Sequence, residues 1–241
     1  MNDSDTSPTA AAPSVWRRPE HGSRGPTSRW TRDDVADAGV HVADQHGLAA
    51  VTMRSVASRL GTAGASLYRI VDSRDQLLEL MADRVNAEFD YSTVGAGSGT
   101  VGMRSLARQG RAIYARHRWL LEIPDTAPVL GPNAMDYLDR ALGTLSSTDL
   151  TERAKLEVVG IVSGLVRVLA LGEASPGRGR LSPEWQAAMA DHLRATAVSE
   201  SHPHLAAVLA ADRDAADPGD GFERVIGLVI DLSVHGSQAW E

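Results

Sequence analysis

Apolar positions recur three and four residues apart along most of this chain, and nowhere do they alternate as in a strand, so the pattern predicts helices throughout. The first helix is capped by Thr31 and ended by Gly47, with Val35, Ala38, Val42 and Ala43 on its apolar stripe. Two short helices within Thr52–Val71 follow, joined by a tight turn at Gly61, with Val56, Ala57 and Leu60 and then Leu67, Ile70 and Val71 facing inward. The second is too short to stand alone and needs support from its neighbours. Ser73 caps a fourth helix running to Phe89, with Leu77, Leu78, Met81 and Val85 on one side. A Gly/Ser-rich loop spans Tyr91–Thr100, and further helices are expected over Val101–His117, Asn133–Ser146, Leu150–Leu171, Pro183–Glu200, His202–Ala211 and Gly221–Gln238. Gly172, with Pro176 just beyond, is the expected stop of the long helix. The fold class expected is all-α: a three-helix helix-turn-helix domain followed by a helical bundle.

The segments near 150–171 and 221–236 carry more hydrophobic surface than one small bundle covers, which argues that two copies share it. Gly160 and Gly164, four apart, leave room for another helix to approach. The expected organisation is a disordered polar tail at 1–27, a helix-turn-helix domain at 28–75 and a helical, dimerising domain at 76–241.

Charge sharpens the picture. The net charge of the 241 residues is −7, at first sight wrong for a nucleic-acid partner. Residues 1–75 are nevertheless neutral, with nine arginines against nine acids, and all the excess lies behind them, as 15 Lys+Arg against 22 Asp+Glu. From Gln45 through Val71 there is no acid, whereas Arg54, Arg59 and Arg69 are present. An acid-free pair of short helices bearing arginines suits a phosphate-lined groove. Five arginines between Ser14 and Arg32, at 17, 18, 24, 29 and 32, are either a solvated tail or a phosphate-binding arm.

Other chemistries are not signalled. There is no cysteine, hence no disulfide, thiol nucleophile or cysteine-zinc site. No hydrolase, metalloprotease, P-loop or dinucleotide motif is present, so no enzyme activity and no cofactor are expected. Scattered histidines (117, 192, 202 and 204) lack metal-ligand spacing, and no apolar run is long enough for a membrane span. The expected location is the cytoplasm.

Several short motifs then fall in a single order: a Gly-Leu pair after the first helix, Thr-Met-Arg opening the second, Ala-x-x-Leu-Gly before the turn, Ser-Leu-Tyr-Arg, and Ser-Arg-Asp-x-Leu-Leu opening the fourth. Over about 55 residues this resembles the N-terminal domain of the tetracycline-repressor (TetR) family. The resemblance implies a ligand-responsive, homodimeric transcriptional repressor, released from a palindromic double-stranded DNA operator by a small-molecule effector of unknown identity. Thr52 and Arg54 would stand at the groove edge, and Thr62, Ala63, Gly64, Ala65 and Ser66 nearest the bases. Tyr68 and Arg74 would meet phosphate, and Arg69 is the one long base-capable side chain of the recognition helix. Ile70 replaces the aromatic or histidine common after the Tyr-x pair, which removes a phosphate donor. Arg-His-Arg-Trp-Leu (116–120) is similar to a junction found in the ligand domains of this family. Met103, Tyr114, Trp119, Met135, Tyr137, Trp185 and Met189 are candidate effector contacts, with ordinary core packing the competing account. A helical ligand-sensing or partner-binding module that has lost operator binding stays open as the alternative.

Overall fold

The structure is a computed structural model describing residues 14–17, 29–123, 131–174, 188, 191–192, 202–204, 207 and 221–235. Among these, eight α-helices are bounded at both ends and there is no strand: α1 (Arg32–His46), α2 (Met53–Arg59), α3 (Gly64–Leu67), α4 (Arg74–Asn86), α5 (Gly99–Arg116), α6 (Pro132–Thr144), α7 (Glu152–Ala174) and α8 (Gly221–His235). The chain divides into two compact units, one within Met1–Phe89 and Arg116–Asp139, the other within Asp90–Ala115 and Arg140–Glu241. The helices expected at 183–200 and 202–211 lie largely outside the described residues.

In the first unit, helix starts are written in side-chain hydrogen bonds. Thr31 Oγ1 accepts from Asp34 N at 3.1 Å while Asp34 accepts from Thr31 N at 2.8 Å, a reciprocal pair that satisfies donors left open at the first turn of α1. Those bonds hold the Asp34 carboxyl below its usual range. Thr52 and Ser55 repeat the arrangement on α2, and Ser73 accepts from Gln76 N to start α4. Gly47 and Gly61 turn the chain at φ 79° and 66°, in the left-handed region that favours glycine.

Helix α1 buries Val35, Ala36, Ala38, Val42 and Ala43, and α4 buries Leu77, Leu78, Leu80, Met81 and Val85. The two helices meet closely at Gly39, where a Cβ would come within 2.7 Å of Met81 Sδ. Arg84 on α4 is tied to Asp37 on α1 at 2.7 Å. Removing either helix from the other would expose several aliphatic side chains, each worth about 1.5–3 kcal/mol.

One feature departs from expectation here. The polar stretch 1–27 was expected to be disordered throughout, yet Val15–Arg17 form a 3₁₀ turn with Val15 buried. The reason lies on α4: Glu79 accepts from Val15 N at 2.9 Å and from Ser14 Oγ at 3.2 Å, while Arg32 donates to Val15 O and lies over the Trp16 ring. One apolar side chain with a waiting carboxylate suffices to dock the turn, and a periodicity search does not register so short a segment. Helix α4 also carries Asp83, only 1 % exposed. Its carboxylate accepts from Ala134 N at 2.9 Å, Asn133 N at 3.3 Å and Asn133 Nδ2 at 3.0 Å, capping α6 from outside the helix. A buried negative charge at a helix N-terminus, satisfied by backbone donors, is strongly stabilising. Asp83→Ala would strand those donors and is expected to cost about 2–3 kcal/mol, lowering Tm by roughly 5–10 °C in a thermal melt, with Asp83→Asn recovering part of the loss.

In the second unit, α7 buries Val158, Val159, Val162, Val166 and Ala170, and α8 buries Phe222, Ile226 and Ile230. The arginines of α5 stitch these helices together. Arg104 reaches Asp231 at 2.6 Å, Arg108 grips both carboxylate oxygens of Glu223 at 2.7 and 2.8 Å, and Arg111 pairs with Glu173 at 2.8 Å while lying over Phe222. The bidentate grip holds Glu223 below the usual carboxylate range. Its contribution is therefore present at neutral pH and fades only as acid titrates through that lowered value. Gly172 does not stop α7, which runs to Ala174. A glycine inside a helix costs about 1 kcal/mol, and the turn beyond it carries Glu173, which pairs with Arg111.

Candidate nucleic-acid interface

Helices α2 and α3 with the turn at Gly61 form the helix-turn-helix. Helix α3 is a single turn, Gly64–Leu67, followed by turns through Ile70. Its position is imposed from below by Leu67 and Val71, both fully buried. Small residues cover its upper side: Ala63 and Ala65 are exposed, and Thr62, Gly64 and Ser66 are half-buried. Nothing lies within 4 Å of where a Cβ on Gly64 would be, so the backbone there is open to close approach.

Arg54, on the first turn of α2, and Arg69, just past α3, are both exposed. Neither makes a hydrogen bond or ion pair among the described residues, and the same holds for Arg59. A guanidinium with no internal partner keeps all five donors for an external acceptor. Thr52 is engaged as the α2 cap. Tyr68 stands 53 % exposed, its ring outside the core.

Arg74 has a second task that the sequence did not reveal. Its Nε donates to Val51 O at 3.0 Å and its Nη2 to Leu48 O at 2.9 Å, so its guanidinium holds the corner between α1 and α2. Ile70 is only 9 % exposed and points into the core. Its apolar side chain therefore serves packing beside Leu67 and Val71 and offers no donor to a phosphate.

The effector candidates are divided between the units. Met103, fully buried, and Tyr114, half-buried, belong to the second. Trp119, Met135 and Tyr137 belong to the first. There Trp119 Nε1 donates to Asp44 at 2.7 Å, Tyr137 packs against Phe89 with ring centroids 4.6 Å apart, and Met135 is exposed. Trp185 and Met189 lie outside the described residues. No group of acids and histidines able to hold a metal ion occurs among the described residues, and no described helix is long and apolar enough to cross a membrane.

The comparisons with known proteins agree with this architecture. Residues 35–81 match the family of bacterial regulatory proteins of the tetR type, and residues 95–231 match the tetracyclin repressor-like C-terminal domain. The chain is 33 % identical over 228 residues to the HTH-type transcriptional repressor DrrR1 of Streptomyces coeruleorubidus, covering 90 % of this chain and 83 % of that one. It also superimposes on apo ActR from Streptomyces coelicolor with a TM-score of 0.70 and 26 % identity, over 90 % of this chain and all of that one. The structure of ActR in complex with actinorhodin gives 0.68 and 27 %, over 88 % and 99 %. The chain belongs to the TetR family of transcriptional regulators: it is a DNA-binding regulator and not an enzyme.

Proposed function

We propose that two copies of this chain bind a palindromic operator in the cytoplasm as a repressor, and release it when a small organic effector occupies the domain formed by residues 76–241, the reading head being residues 28–75. The observation that carries the DNA-binding half is the exposure of Arg54 and Arg69, without internal partners, on a surface whose sequence from Gln45 to Val71 holds no acid. In this reading Arg54 and Arg69 supply base contacts, Tyr68 and the free edge of Arg74 meet phosphate, and Thr52 positions α2 at the groove edge. Thr62, Ala63, Gly64, Ala65 and Ser66 give close approach, with methyl and hydroxyl contacts to base edges. So few long side chains over the bases leave DNA shape to supply part of the specificity.

Pairing of two copies is supported by an apolar face left uncovered in one. Ile161, Val168 and Leu171 on α7 are exposed together with Val225, Leu228 and Leu232 on α8. Nothing lies within 4 Å of where Cβ atoms would stand on Gly160 and Gly164. Apolar surface of that extent on one side of two helices suits a symmetric contact with a second copy. The effector reading is supported by the likeness to ActR, whose structure was determined with actinorhodin.

The test is a mobility shift on the duplex upstream of the protein's own gene. A shift that weakens steeply with salt is expected, reversed by adding actinorhodin or a related small molecule as the first probe. A shift indifferent to salt, or none in dilute buffer, overturns the operator reading.

A further inference from the structure

His117 stands where the chain passes from the second unit back into the first, immediately after α5. It is 3 % exposed. Its Nδ1 lies 2.7 Å from Asp44 on the last turn of α1, and its Nε2 lies 2.9 Å from Glu88, just past the end of α4. A neutral imidazole carries one ring proton. It can donate to one of these carboxylates, and then it turns a lone pair on the other. Only the imidazolium satisfies both contacts together.

The surrounding charges fit that state. Glu88 turns its second oxygen to Arg116, and Arg84, itself tied to Asp37, acts on Glu88 from further off. Asp44 also accepts from Trp119 Nε1. Two carboxylates are thus matched by His117 and Arg116, and loss of the ring proton leaves an unbalanced negative charge in a mostly buried place. With both ring nitrogens protonated, His117 joins the end of α1 to the end of α4, while the 3₁₀ turn Arg118–Glu122 that follows it reaches Asp44 separately through Trp119. Helix α1 is the base on which α2 rests.

We infer that a proton held on His117 clamps the ends of α1 and α4 together, presets the reading helices and makes operator binding tighten as pH falls. The inference rests on the DNA-binding reading above. A head held in one setting spends less of its binding energy on being ordered, so the DNA-bound protein retains the proton more firmly than the free protein. His117 is a positioning residue, acting through α1 rather than on DNA.

Glu88→Gln separates this from a plain packing role. The glutamine amide can donate to a neutral ring at Nε2 while its oxygen still accepts from Arg116, so the geometry survives without the extra proton. Affinity for the duplex upstream of the protein's own gene, relative to a random duplex, is expected to rise about tenfold in the wild type between about pH 8.5 and pH 6, and to change less than about twofold in Glu88→Gln. In the full-length protein without DNA, nitrogen NMR at one common pH should show both His117 ring nitrogens protonated in the wild type and one in Glu88→Gln. Equal pH slopes in the two proteins, or a singly protonated wild-type ring, overturn the clamp alone. No duplex binding at any pH overturns the DNA-binding reading and the linkage with it.

Discussion

Val168→Asp combined with Leu232→Asp is expected to leave the protein as single subunits and to abolish measurable operator binding. In one copy the two side chains are 64 % and 62 % exposed, the most open of the large apolar residues on the face of α7 and α8. If a second copy covers them, each contributes about 1.5–3 kcal/mol of burial, and symmetry doubles the count. An aspartate set among these apolar side chains must be dehydrated when a second copy covers it, a cost of several kcal/mol per site. The four changes per dimer then exceed what a standard interface can spare. Because a palindrome is held by two heads at once, loss of pairing forfeits the avidity of the second contact, roughly 10²–10⁴-fold in affinity. Light scattering reads the mass, a melt confirms that the subunit stays folded, and a mobility shift reads the DNA. A double variant that still runs as a dimer would mean that the face is covered by something else.

Arg54→Ala with Arg69→Ala is expected to weaken operator binding by about 10²–10⁴-fold while leaving the fold intact, since neither side chain has a partner inside the described structure to lose. The two single variants separate the kinds of contact. An arginine that reads a guanine edge costs about 1–3 kcal/mol on the correct operator and little on random DNA, with the salt slope nearly unchanged. One that holds phosphate weakens every sequence alike and lowers the slope by about one. Arg69, adjoining the recognition helix, is expected to behave in the first way. Arg54, on the opening turn of α2, tests whether that helix touches base or backbone.

The apolar stripes of α1, α2 and α4, the caps at Thr31, Thr52 and Ser73, and the turns at Gly47 and Gly61 were all legible in the residues, because each follows from local spacing or a local backbone demand. The acid-free run was equally plain, since charge counting needs no coordinates. What was hidden is the work done by charged side chains at long sequence separation. Asp83 capping α6 spans 51 residues, His117 with Asp44 spans 73, and Arg104 and Arg108 of α5 find acids more than a hundred positions away on α8. In a one-dimensional reading each of these is an ordinary polar position on a solvated face. Ile70, read from its spacing as facing inward with Leu67 and Val71, is buried beside them, as a local apolar period allows one to expect. Gly172 shows the converse error, in which a residue able to end a helix does not end α7, which runs on to Ala174.

Helix α4 is moored along its length: Glu79 to the leading turn at Ser14–Val15, Asp83 to the head of α6, and Arg84 to α1. A rod pinned at three neighbouring points cannot roll or slide by itself. Any signal arriving at α4 must therefore turn the leader, the DNA-reading head and the start of α6 as one piece, like a key with its bow and bit, so that a small torque at one end is delivered undiminished at the other.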